Sequence, residues 1–273
     1  MMLELGSAGI ELVLDPSMGG RAVSWRVDGH ELLTHDRSGP VEYGMYAMGP
    51  WAGRIRDNAV TFADQTWSMP PTLHEWAIHG TIIDKPVTVV DAAASSALLR
   101  AELRDPWPWR GHIDMAWSVR DDAVFADITV HAETAPFPAV VGWHPWFVRD
   151  LDIGETAQWS LGEARIADRN AAFELSGTTR DVSLDEGPFD DAFLVPGRHG
   201  SIEWPQALRI DVDSSHEWYV VYDGWPPAVC LEPQSGPPDG VNASALAPVT
   251  VVTPEAPLVL QTCWTISRGP LLG

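Results

Sequence analysis

At 273 residues the chain is long enough for one large all-β domain or two ordinary ones, and in either case for a substantial core. Its 17 Lys and Arg stand against 38 Asp and Glu, a formal net charge of −21, which disfavours nucleic acid, anionic membrane surfaces and strongly anionic partners. A neutral small molecule is then the natural ligand. The stretch Met1-Met2-Leu3-Glu4-Leu5-Gly6 has neither a basic region nor an apolar run, and no apolar stretch reaches membrane-spanning length. The expectation is a soluble, cytoplasmic protein with no membrane partner. Two cysteines, Cys230 and Cys263, are too few for a disulfide framework and lack metal-ligand spacing, so they read as small buried hydrophobes.

Along the chain the signals are those of β-structure. The stretches Ala22-Val23-Ser24-Trp25-Arg26-Val27 and His30-Glu31-Leu32-Leu33 flank Asp28-Gly29, a strong hairpin signal. Period-two alternation, with one buried face, follows at 113–119, 124–130, 208–212 and 258–266, and 217–222 is rich in β-formers. No segment carries a long helical stripe. With 23 Gly and 23 Pro punctuating short strands, the pattern predicts an all-β sandwich or barrel rather than an α/β fold. Pro106-Trp107-Pro108-Trp109, Pro226-Pro227 and 236–240 read as loop corners, and no shift of composition marks a domain boundary.

Five stretches concentrate polar groups in apolar or turn-rich surroundings. In Gly49-Pro50-Trp51-Ala52-Gly53-Arg54-Ile55, Arg54 offers a fork of donors suited to vicinal hydroxyls or a carboxylate, or else a surface ion pair. His79 is followed by Gly80, which would let a ligand or another backbone approach closely. In Gly142-Trp143-His144-Pro145-Trp146-Phe147 a histidine sits between tryptophans and is pinned into extended geometry by Pro145, so the strand should end there. Aromatic faces and a titratable imidazole suit sugar chemistry, although a buried histidine in a Trp-rich core has the same appearance. Phe189-Asp190-Asp191-Ala192-Phe193 carries two acids, which a turn would equally explain. Finally, Val229-Cys230-Leu231-Glu232-Pro233-Gln234 reads as an apolar strand ending in Glu-Pro, with Glu232 at the rim of the fold. Partial burial there would raise its pKa and suit it to general-base work.

Taken together and in order, the Pro-Trp-Ala-Gly-Arg-Ile, Ile-His-Gly, His-Pro-Trp-Phe, Asp-Asp-Ala-Phe and Leu-Glu-Pro-Gln stretches resemble the aldose 1-epimerase (galactose mutarotase) family. The similarity runs through nearly the whole chain, and Pro238-Asp239-Gly240-Val241-Asn242 continues it. The resemblance implies a large antiparallel β-sandwich of one domain over residues 1–273. It implies His144 as general acid, Glu232 as general base, and Arg54, His79 and Asp190 as holders of the sugar hydroxyls, with Asp191 the alternative to Asp190. It implies no cofactor and no metal. Gly53 stands where many members have asparagine, Thr81 where many have a second glycine, and Trp146 where tyrosine is common; these departures bear on sugar identity. For His144 to rest as imidazolium at neutral pH, a nearby carboxylate, Asp190 or Glu232, should raise its pKa. The rival readings are a hexose-6-phosphate 1-epimerase, a carbohydrate-binding protein without turnover, and a metal enzyme using His79, His144 and Glu232.

Overall fold

The computed structural model describes every residue except 36–38, 184–185, 243 and 273. Among the described residues there is no α-helix; one 3-10 turn spans Arg56–Asn58, and the remainder is strands and loops. Among these residues no helix is long and apolar enough to cross a membrane.

Two large antiparallel sheets dominate. The first runs, in spatial order, through Leu3–Ser7, Ile10–Asp15, Arg21–Val27, Met45–Met48, Gly142–Pro145, Ala228–Gln234, Trp218–Tyr222, Asp190–Leu194, Arg165–Arg169 and Leu175–Asp181. The second runs through Gln158–Leu161, His199–Trp204, Leu208–Ser214, Leu258–Arg268, Ala123–Ala132, Gly111–Arg120, Ser96–Leu103 and Thr88–Ala93. The expected hairpin is present, with Asp28 and Gly29 both at positive φ between Arg21–Val27 and His30–Glu31, as its turn type requires.

The expected alternation decides which side chains meet between the sheets. On Gly111–Arg120 the residues Ile113, Met115, Trp117 and Val119 are buried while their neighbours are more exposed. Aromatic contacts cross the interface: Trp117 meets Trp143 at 4.5 Å between ring centroids, and Trp25 meets Trp264 edge-on at 6.0 Å. Trp143 also donates from Nε1 to the Ala126 carbonyl at 3.0 Å. Burying such rings together is the main drive for joining the two sheets.

The first sheet differs from the second in one respect that matters for the site. Its central strands Gly142–Pro145 and Ala228–Gln234 are buried on both faces. One face meets the second sheet; the other must be covered by something else. Loops from the 39–83 region lie there, tied together by backbone pairing of Gly49 with Gly80 and of Arg54 with Ile78. Because successive side chains of a strand point to opposite faces, Trp143 enters the core and His144 the loop-covered side.

Two expectations need correction. The strand holding Glu232 does not end at Glu-Pro but continues through Pro233 to Gln234. Its ladder on one side is already broken into a single pair with Gly142 and two pairs with Phe147–Val148, a place where a strand tolerates proline. Glu232 is therefore buried in the middle of the sheet, not at its rim. The cysteines are both free, as expected, but only Cys230 is buried; Cys263 is half-buried.

Candidate active site

The strand geometry brings the five sequence-selected residues into one cavity of about 340 Å³, lined by Arg54, His79, His144, Asp190 and Glu232. His144 and Glu232 lie on neighbouring strands of the first sheet, with His144 Nε2 3.3 Å from Glu232 Oε1 and both side chains buried. The other carboxyl oxygen, Oε2, accepts from Gln234 Nε2 at 3.2 Å. Gln234 is two residues beyond Glu232 and hence on the same face.

His144 is held by rings. It pairs across the ladder with Tyr46, whose ring stacks on the imidazole at 4.9 Å, and Trp146 stacks on it at 5.1 Å. His79 meets it edge-on at 4.9 Å. Tyr46 and Trp146 are themselves fixed, the phenol and the indole both donating to the Val41 carbonyl. Behind Tyr46 lies Arg21, fully buried, its guanidinium donating to the carbonyls of Met18, Pro40, Tyr43 and Ile83 and lying over the Tyr46 ring.

Burial sets the electrostatics of the pair. It pushes Glu232 well above the ordinary carboxylate range, and the nearby Asp190 charge pushes the same way against Gln234 and Arg54. Burial also brings His144 down to about 3, with the Arg21 charge adding to the effect. A carboxylate was expected to raise His144; it does not, because desolvation penalises a charge on either member of the pair. His79 is likewise lowered, by burial and then by His144 and Arg54, and so acts as a neutral hydrogen-bonding group.

Arg54 NH2 lies 3.3 Å from Asp190 Oδ2. Asp191 is engaged instead by Arg169. His79 has φ +61, and Gly80 after it has φ +83 with its Cα against the Gly49 backbone, where an added Cβ would lie 1.9 Å from the carbonyl oxygen. The close approach read from His79-Gly80 is thus to another backbone. Gly53, at φ +69, occupies a region that asparagine also tolerates, but an added Cβ would lie 2.9 Å from Pro238 Cβ, so asparagine here would require Pro238 to shift.

Several buried polar atoms around this cavity have no partner among the described residues: His79 Nδ1, His144 Nδ1, Arg54 Nε and Gln234 Oε1. Buried polar groups are normally satisfied, so a ligand bearing several hydroxyls suits the cavity. Among the described residues around this cavity, the donors that approach each other as a metal set would are His144, Cys230 and Glu232, not His79; a second such set, His112, Asp114 and His131, lies elsewhere. Burial raises the Cys230 thiol well above its ordinary value, and the Glu232 charge pushes the same way.

Sequence reasoning missed Tyr46, Arg21, Arg169 and Phe173, which line or support the cavity. Gln234 was recoverable, since strand alternation places it beside Glu232. The others are joined to the site only by the tertiary fold.

Comparison with known proteins agrees with this architecture. The sequence profile of the family described as aldose 1-epimerase matches residues 2–253. A putative aldose 1-epimerase from Escherichia coli K12 superposes with a TM-score of 0.85 at 16% identity, covering 98% of this chain and 99% of that one. The GalM/aldose epimerase homologue from C. elegans gives 0.83 at 15% identity, with 98% and 99% covered. Galactose 1-epimerase from Lactobacillus acidophilus NCFM gives 0.70 at 13% identity, with 97% and 93% covered. A comparison with curated proteins finds no match. The fold is the galactose mutarotase-like β-sandwich, and the family match over nearly the whole chain places this protein in the aldose 1-epimerase family.

Proposed function

We propose that the protein interconverts the α and β anomers of a free hexose, with His144 and Glu232 as the acid–base pair. The observation that carries this reading is the 3.3 Å approach of His144 Nε2 to Glu232 Oε1 at the buried end of a cavity with unpartnered polar atoms. Anomerisation needs a proton taken from the C1 hydroxyl and another given to the ring oxygen. Glu232 takes the first and His144 gives the second, and the ring opens to the aldehyde. Rotation about the C1–C2 bond and the reverse transfers close the other anomer.

The proton count fits the electrostatics. Imidazolium with carboxylate, and neutral imidazole with carboxylic acid, contain the same number of protons. The first is the form that opens the ring; the second is the form present at the open-chain stage. Burial favours the second, so the site favours the protonation state of the intermediate, and a full cycle exchanges no net proton with solvent. Arg54, His79 and Asp190 hold the sugar hydroxyls.

A free sugar is the better candidate than a hexose 6-phosphate. Arg56 is taken by Asp239, and Arg149 donates to the carbonyls of Asp223 and Ala228. The two arginines that do line the cavity, Arg54 and Arg169, each face an aspartate, whereas phosphate binding wants converging free cations. The test is polarimetry of freshly dissolved α-glucose and α-galactose. Catalysed decay to equilibrium supports the reading, and decay no faster than in buffer rejects it.

A further inference from the structure

The strand Arg165–Arg169 turns back into Leu175–Asp181 through residues 170–174, and Phe173 in that turn lines the cavity. Asn170 builds the turn: its Oδ1 accepts from the amides of Ala172 and Glu174 at 2.8 and 3.1 Å, and its carbonyl accepts from the Phe173 amide. Phe173 has φ +62, a conformation that suits glycine or asparagine and in which a bulky aromatic is an outlier. Strained residues of this kind gather at functional sites.

The Phe173 ring meets two guanidiniums. The central carbon of Arg54 lies 4.0 Å from the ring centroid and that of Arg169 lies 4.3 Å from it. The two arginines face consecutive acids of one strand, Arg54 with Asp190 and Arg169 with Asp191, and all five residues line the same cavity. Each pair is neutral overall, yet each retains N–H donors and carboxylate lone pairs. Donor and acceptor side by side suit a hydroxyl, which does both, and offer little to an anion. Arg54 Nε, buried and without a partner among the described residues, is a donor left for such a ligand.

We propose that Arg169 and Asp191 form a second hydroxyl-binding pair beside Arg54 and Asp190, with Phe173 as the positioning residue, so that the cavity reads two hydroxyl-bearing positions of an uncharged aldose. This rests on the sugar reading above. The aromatic platform holds both guanidiniums by cation–π attraction, and the strained turn places the platform.

The strain makes the role separable from folding. Phe173→Asn suits the left-handed backbone and removes the ring; Phe173→Tyr keeps the ring. The experiment measures kcat, KM and Tm for wild type and both variants with glucose, galactose and their 2-deoxy and 6-deoxy analogues. The expected result for Phe173→Asn is an unchanged or higher Tm, little change in kcat and a KM raised about tenfold, the equivalent of one lost hydrogen bond to a charged group. Phe173→Tyr retains the wild-type KM. Arg169→Gln should raise KM for the parent hexose but add nothing for the deoxy analogue lacking the hydroxyl it holds. A wild-type KM in Phe173→Asn, or a raised KM that follows a fall in Tm, overturns the proposal. If the wild type turns over no aldose, the enzymatic reading falls by itself, and glucose binding by saturation-transfer NMR decides the subsite. Weaker binding by Phe173→Asn then supports it; equal binding, or none by wild type, overturns it.

Discussion

The burial that places His144 and Glu232 together disfavours a charge on either, and this has consequences for stability as well as for catalysis. Glu232 is raised above its ordinary 4.5, so the stability it contributes is fully present below pH 4.5 and is lost as pH rises through the raised value. His144 is lowered from 6.5 to about 3, so its contribution is fully present above pH 6.5 and is lost as pH falls through about 3. Above pH 4.5 the loss from Glu232 runs against the gain from His144, so the two slopes oppose each other while both groups titrate. Glu232→Gln should therefore abolish that loss: urea midpoints should show the variant gaining on wild type as pH rises above 4.5. Parallel pH curves would mean that Glu232 titrates normally. On the proposed mechanism the pair works while it holds one shared proton, so the acid limb of kcat/KM should belong to His144 and lie far below neutrality, and the alkaline limb should belong to Glu232.

Among the elements, the two loops over the first sheet are the most exacting. Gly80 combines φ +83 with an added Cβ position 1.9 Å from the Gly49 carbonyl oxygen, a backbone atom that cannot swing aside. Gly80→Ala should cost at least about 2 kcal/mol in urea unfolding and should raise KM by displacing His79. Wild-type stability in this variant would show that the loops re-pack freely. The strands that carry the fold were legible because alternation is a local property: Ile113 to Val119 and Leu258 to Ile266 declare their buried faces within a few residues. Arg54, His79, His144, Asp190 and Glu232 were legible through short motifs. Phe173 was not, because neither its left-handed backbone nor the two arginines over its ring leaves a mark in the local sequence. Nor was the depth of Glu232, which depends on the strand running on through Pro233. Tyr46 and Arg21 came to the site through strand pairing and loop closure between segments far apart in sequence.

At the scale of the molecule, a formal charge of −21 surrounds a cavity whose two arginines are already matched by aspartates. Screening over about 8 Å at physiological salt leaves the local pairs to decide substrate charge. We expect kcat/KM to be higher for glucose and galactose than for their 6-phosphates at low and high salt alike. A preference for the phosphorylated sugars that weakens with salt would identify a cationic site that this arrangement does not provide.

The central claim is that one buried pair passes a proton out and back during ring opening. It is tested most directly by exchange NMR between the α and β C1 protons of glucose at equilibrium, with wild type, His144→Asn and Glu232→Gln at saturating sugar. Exchange should be fast with wild type and slower by at least ~10²-fold with either variant, while each still binds sugar. Exchange at the wild-type rate in either variant would contradict the account.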